Sequence, residues 1–285
     1  MTGVRTIAVY ALRESMRRRV FVVVVILTLA FLALYGLGTE AAFDATEGDA
    51  DFDGASVDDQ VLTGSTLLGL AMFTTLFLGC VLAVFLTLGA VRGDAERGLL
   101  QPLVVRPVGR TELLLGRFVA AAGVCAVYVT AVYASALTLT GAAGGWWPKD
   151  PIEPGLCLVL AVVVIAALGL LGSLFLSATA NGIAVFMAFG AGLAAGLLGQ
   201  IGEALSVRTL ENVAEVTSWF LPFEALYQAG LSALTEDEGG AAFVIVQLGP
   251  FGGAQEAGPA LWLWTLAYLA LVGAAARAAF ARRDL

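Results

Sequence analysis

Residues 154–202 read PGLCLVLAVVVIAALGLLGSLFLSATANGIAVFMAFGAGLAAGLLGQIG and carry no charged side chain. One helix of that length would measure about 73 Å at 1.5 Å per residue, more than twice the roughly 30 Å hydrocarbon core of a bilayer. The run Ser177, Ala178, Thr179, Ala180, Asn181, Gly182 breaks the stretch near its middle, and clusters of small and polar residues mark turns. The segment therefore predicts a hairpin of two membrane-crossing helices, over 155–177 and 182–202.

Four further uncharged stretches lie at 20–39, 60–91, 118–148 and 257–276, each long enough for one crossing. Six spans are expected in all, at 20–39, 61–91, 114–141, 155–177, 182–202 and 258–280. The chain has 285 residues, 59% of them hydrophobic and only 13% charged, far below the roughly 25% charge of soluble proteins. Its fold class is all-α integral membrane protein, a single transmembrane domain over 1–285 with no separate soluble domain. Arg17, Arg18 and Arg19 precede the first span as they would a signal peptide. That span is longer than the roughly 7–15 residues of a signal h-region, so it is expected to stay in the membrane.

The charges between the spans are sorted by sign. If the N-terminus is cytoplasmic and the spans alternate, the cytoplasmic side holds Arg5, Arg13, Arg17, Arg18 and Arg19, then Arg92, Arg97, Arg106, Arg110 and Arg117, then Arg277, Arg282 and Arg283. Only Lys149 and Arg208 fall outside. Short loops rich in Arg and Lys stay in the cytoplasm, so both termini are expected there, in a multi-pass protein of a prokaryotic plasma membrane. Acidic residues gather on the other side, in 40–60 and 203–257. A cation-attracting vestibule is one reading; a solvated surface suited to a salt-rich habitat is the plainer one. An arginine-rich, lysine-poor composition can also come from genome base composition. Asp49, Asp51 and Asp53 have part of a calcium-loop spacing, but the glycine falls at Gly54 and no closing glutamate follows.

Residues 1–19 place Val4, Ile7, Ala8, Ala11, Leu12 and Ser15 on one helical face and Arg5, Arg13 and Arg17 on another, the pattern of a helix lying in the membrane interface. A helix continuous with the first span is the alternative. Trp219 to Tyr227, with Pro222 near a helix start, predicts short helices dipping into the outer leaflet before the last span. Gly169, Gly172 and Ser173, and Gly192 with Gly196, provide spacings for close helix approach, within one subunit or between two. Cys80, Cys125 and Cys157 fall inside spans at unrelated spacings and are expected to act as small hydrophobes.

Val91 to Phe118 read VRGDAERGLLQPLVVRPVGRTELLLGRF. A connection that only turned the chain would need about five residues; this one, with its loop over 92–113, keeps apolar Leu99, Leu100, Leu103, Val104 and Val105 among charges. The order Glu96, Gly98, Leu99, Leu100, Leu103, Pro107, Val108, Gly109, Arg110, Leu115, Gly116, Arg117 resembles the cytoplasmic loop of type 2 export permeases of the ATP-binding-cassette (ABC) superfamily. That family's pattern has an acid, then Gly-Thr-Leu and leucines, then Pro-Val-Ser-Arg and Leu-Gly-Lys. The whole chain is similar to the family in its interfacial helix, six spans, outer-leaflet helices and basic tail. Leu99 replaces the usual threonine, Gly109 the serine and Arg117 the lysine, and Pro102 interrupts the leucine run.

The resemblance implies a coupling helix seated in a groove of a separate ATPase subunit. Leu99, Leu100 and Leu103 would fill a pocket, while Glu96, Arg97, Arg106, Arg110 and Glu112 set register by charge. Gly98 and Pro107 would end helices, and Gly116 would allow a close turn into the third span. A loop packed on itself, its arginines serving topology alone, is the alternative. The chain has no Gly-x-x-x-x-Gly-Lys-Ser/Thr motif, so ATP and Mg are expected on a partner ABC ATPase and no cofactor on this chain. The expected function is the membrane subunit of an ATP-driven ABC exporter, paired as a homodimer or heterodimer of permeases in the lipid bilayer, with no nucleic-acid partner and no catalysis of its own. The alternative is a permease-like subunit passing ATP-driven motion to an extracellular cofactor-assembly partner. An enzyme would lack histidine and an activated nucleophile beside a base, and a channel would lack a charged ring or filter signature.

Overall fold

The computed structural model describes residues 19–48, 59–88, 110–234 and 258–281. Among them the chain is helical throughout, in the order α1 (Arg19–Gly48), α2 (Asp59–Thr87), α3 (Arg110–Gly144), α4 (Ile152–Phe175), α5 (Ala178–Leu205), α6 (Arg208–Phe220), α7 (Pro222–Ser232) and α8 (Pro259–Ala281). Six of these, α1 to α5 and α8, are long and apolar enough to cross a membrane. The expected interfacial helix at 1–19 lies outside the described residues apart from Arg19, as does the aspartate-rich run around Asp51.

The spans alternate in direction. At one end, called here the terminal end, the start of α3 meets the ends of α4 and α8 in a small core of Leu114, Leu170, Leu174, Ala276 and Phe280. At the far end Trp146 packs against Gly64 of α2, and Phe43 of α1 against Gly144 of α3. Gly145 at φ +64° takes the left-handed conformation that ends α3 there. α2 and α4 form the centre, with 61% and 56% of their apolar stretches buried, whereas α1 and α8 are peripheral at 17% each. Exposed Val22, Ile26, Leu29 and Leu37 on α1 are the surface a helix shows to lipid, which is as apolar as they are.

The hairpin is tighter than the sequence suggests. Leu176 and Ser177 alone separate α4 from α5, because Ser177 is the N-cap of α5 and accepts a hydrogen bond from Ala180 N at 3.4 Å. Asn181 and Gly182 thus sit in the helix and not in the turn. α1 runs past the expected end at 39 through Glu40 and Asp44, and α3 starts at Arg110, before the expected 114. Charged residues end the hydrophobic signal without ending the helix.

Hydroxyls inside the spans turn back on their own helices. Thr28, Thr75, Thr87, Thr140 and Thr265 each donate to the carbonyl four residues earlier, which satisfies a buried donor where no water is at hand. Two hydroxyl–hydroxyl contacts join α1 to α3: Thr28 with Tyr128 at 2.5 Å and Tyr35 with Thr140 at 2.6 Å.

After α5, Ser206 in a left-handed conformation reverses the chain, and α6 runs back along α5 with Ala214 over Gly199. Pro222 then opens α7, where its missing N–H costs nothing. Phe223 reaches Gly192 near the midpoint of α5 and stacks on Phe189 with centroids 5.6 Å apart. From there α7 climbs back, Tyr227 against Phe73 and Leu231 beside Gly69. The two short helices thus dip into the bundle from the far end, as expected, and go deeper than a surface position. α6 has no buried residue, whereas α7 is buried along nearly its whole length.

Candidate functional site

The resemblance points to the connection between α2 and α3. Glu96, Gly98, Leu99, Leu100, Leu103, Arg106 and Pro107 lie outside the described residues. Arg110 is the first residue of α3, and Glu112 lies in its first turn, where a carboxylate is favoured by the helix dipole. Gly116 is buried within α3 and not in a turn before it. The connection emerges at the terminal end, beside the small core that joins α3 to α4 and α8.

That end also holds a polar node. Asn181 Nδ2 donates to Gly169 O at 2.9 Å, from the first turns of α5 to α4. Its side chain presses on Gly172, and Thr87 of α2 presses on Gly169, leaving no room for a Cβ at either glycine. Asn181 Oδ1 is buried with no hydrogen-bond partner. The glycine spacing of α4 therefore serves contacts within the subunit, joining three helices at the root of the connection. Gly192 and Gly196 do the same on α5, where Phe223 and Glu224 fill the space.

Glu224 is the buried acid that sequence reasoning missed. It counts among the acids of 203–257, yet α7 carries it inward until only 4% of it is exposed, against Gly196. Gln228, one turn on, donates to its Oε1. Burial pushes the carboxyl up to about 7, with the Gln228 hydrogen bond acting against the rise. The pair forms the floor of a cavity of about 440 Å³ between α5, α6 and α7, which Glu203, Glu211, Glu215 and Ser218 also line. The signal was there in the flanking residues: Phe223, Leu226 and Tyr227 make the neighbourhood of this i, i+4 polar pair apolar.

No group of three or more His, Cys, Asp or Glu among the described residues is arranged to hold a metal ion. Cys80, Cys125 and Cys157 are free and buried.

A bundle of six crossing helices, with hydroxyls folded onto their own backbones and a helical pair inserted from one end, defines a multi-pass α-helical membrane protein. Residues 5–285 match the model of the ABC-2 family transporter protein family, and the chain belongs to that family. It is a transporter-type permease, a membrane subunit of a kind that is generally non-catalytic. No curated protein matches the chain.

Proposed function

We propose that this chain is the membrane-spanning subunit of an ATP-driven exporter, energised by a separate ABC ATPase that binds ATP and Mg and docks on residues 92–113. Two such permease subunits, identical or different, form the path between them. The terminal end faces the cytoplasm in this reading, since thirteen of the fifteen basic residues fall there when the spans alternate. The observation that carries the proposal is the family match, which runs through the connection and across all six spans. It is supported by the spans themselves: among the described residues their buried polar side chains are hydroxyls and the amide of Asn181, none of them charged, whereas ion-driven carriers place ionisable groups there.

The test is co-purification of the full chain with its ATPase. Charge reversal at Glu96 and Arg110 is expected to abolish the complex while the permease stays folded in the membrane; unaltered assembly would refute the docking role. Glu224 favours one other reading, a proton-coupled carrier, because its carboxyl is buried in the bundle and held near neutral pH. Substrate movement driven by a pH gradient in vesicles that contain this chain and no ATPase would establish that reading and overturn the first.

A further inference from the structure

α8 packs mainly on α4 and only sparsely on α3, leaving a gap beside the small core of Leu114, Ala276 and Phe280. The gap is a groove of about 690 Å³ at the terminal end, walled by Leu115 and Phe118 of α3 and by Gly273 and Arg277 of α8, and floored by Ala167 and Leu170 of α4. Most of its surface is hydrocarbon. Among the described lining residues Arg277 and Thr111 have the polar side chains, both toward the end of the bundle, and none is a carboxylate. Arg277 is exposed one turn before α8 ends at Ala281. That is the level at which arginines of crossing helices reach lipid headgroups.

We propose that this groove is a binding site for an anionic phospholipid, one acyl chain lying between α3 and α8 and the phosphate meeting Arg277. Three observations select that occupant. The groove is apolar along its length and cationic at one end, which is the polarity of a single phospholipid seen from headgroup to tail. It lies on the flank of a peripheral span, where bilayer lipid has direct access. No carboxylate stands among the described lining residues to repel a phosphate.

The tail exchanges one apolar environment for another, because lipid chains are as apolar as leucine, so the groove sets shape and the headgroup sets affinity. An arginine at an anionic lipid surface corresponds to a preference of about five-fold. Gly273 offers an independent probe: a Cβ there meets no atom within 4 Å, so Gly273→Leu fills the groove without straining the fold.

The experiment is native mass spectrometry of the full chain released from nanodiscs containing equal amounts of phosphatidylglycerol and phosphatidylcholine with identical acyl chains. The expected result is phosphatidylglycerol retained about five-fold over phosphatidylcholine, with the preference lost in Arg277→Gln and retention of both lipids lowered in Gly273→Leu, at unchanged melting temperature. Equal retention by the parent chain, or a preference that survives Arg277→Gln, overturns the proposal. So does full lipid retention by Gly273→Leu. Displacement of the lipid by inorganic phosphate alone would make this a free-anion site and refute the acyl-chain assignment, and efficient crosslinking of Ala274→Cys to a second copy would make it a subunit interface.

Discussion

Glu224→Gln tests whether a buried carboxyl governs the stability of the helical pair at the far end. Glu224 keeps 4% of its surface exposed, and burial moves its carboxyl from an ordinary 4.5 to about 7. Below pH 4.5 the group is neutral both folded and unfolded, and the folded state has no charge to hide. As the pH rises from 4.5 toward 7 the unfolded chain ionises first, and folding increasingly requires keeping a proton that the unfolded state has released. Stability is therefore fully present at low pH and declines up to about pH 7, beyond which the penalty is constant. At about 1.36 kcal/mol per pH unit the total is roughly 3 kcal/mol. Glutamine keeps the shape and an amide able to pair with Gln228 but never ionises, so the variant should gain relative to the parent only as the pH rises. Thermal unfolding in detergent at intervals from pH 5 to 8.5 reads this directly. The variant should melt on the order of 5 to 10 °C above the parent at pH 8.5 and the advantage should shrink toward pH 5. Glu203, Glu211 and Glu215 share the cavity in both proteins, and their repulsion of an ionised Glu224 acts in the parent alone, in the same direction as burial. A difference between the two proteins that does not vary with pH would refute the reasoning.

Glycines of α5 should separate by what faces them. Gly192→Ala places a Cβ 2.5 Å from Phe223 Cζ and Gly196→Ala drives one into Glu224, whereas Gly190 faces open space; the first two are expected to lose about 1–3 kcal/mol and Gly190→Ala none, as read by melting temperature. Cys80, Cys125 and Cys157 are buried in the bundle, so a membrane-impermeant maleimide should leave all three unmodified until the chain is unfolded in denaturant, and labelling of the folded protein would contradict the packing of α2, α3 and α4.

Six crossings were legible in the sequence because a bilayer imposes a length and a polarity that no tertiary contact can override. Turn placement was less so. The run from Ser177 to Gly182 looked like one loop, but Ser177 alone suffices as a cap, and the alanines after it are strong helix formers that start α5 at once. Pro222 as the opening residue of α7 was legible, since its ring fits the first turn. Glu224 was not. Acidic residues between two spans count as external in any reading by charge, and only tertiary packing brings this one against Gly196. Asn181 was legible only as part of the break between two spans; the pressing of its amide on Gly172 needs the two helices side by side.

The two hydroxyl bridges between α1 and α3 give the bundle a mechanical grain. Thr28 with Tyr128 and Tyr35 with Thr140 fasten these helices at two heights, so a displacement of either is shared with the other. α8 is leashed elsewhere: Trp264 Nε1 donates to Trp219 O at 3.2 Å and Tyr268 OH to Phe220 O at 2.7 Å, both at the end of α6. The inserted pair thus holds α8 near the far end, while the small core with α3 and α4 holds it at the terminal end.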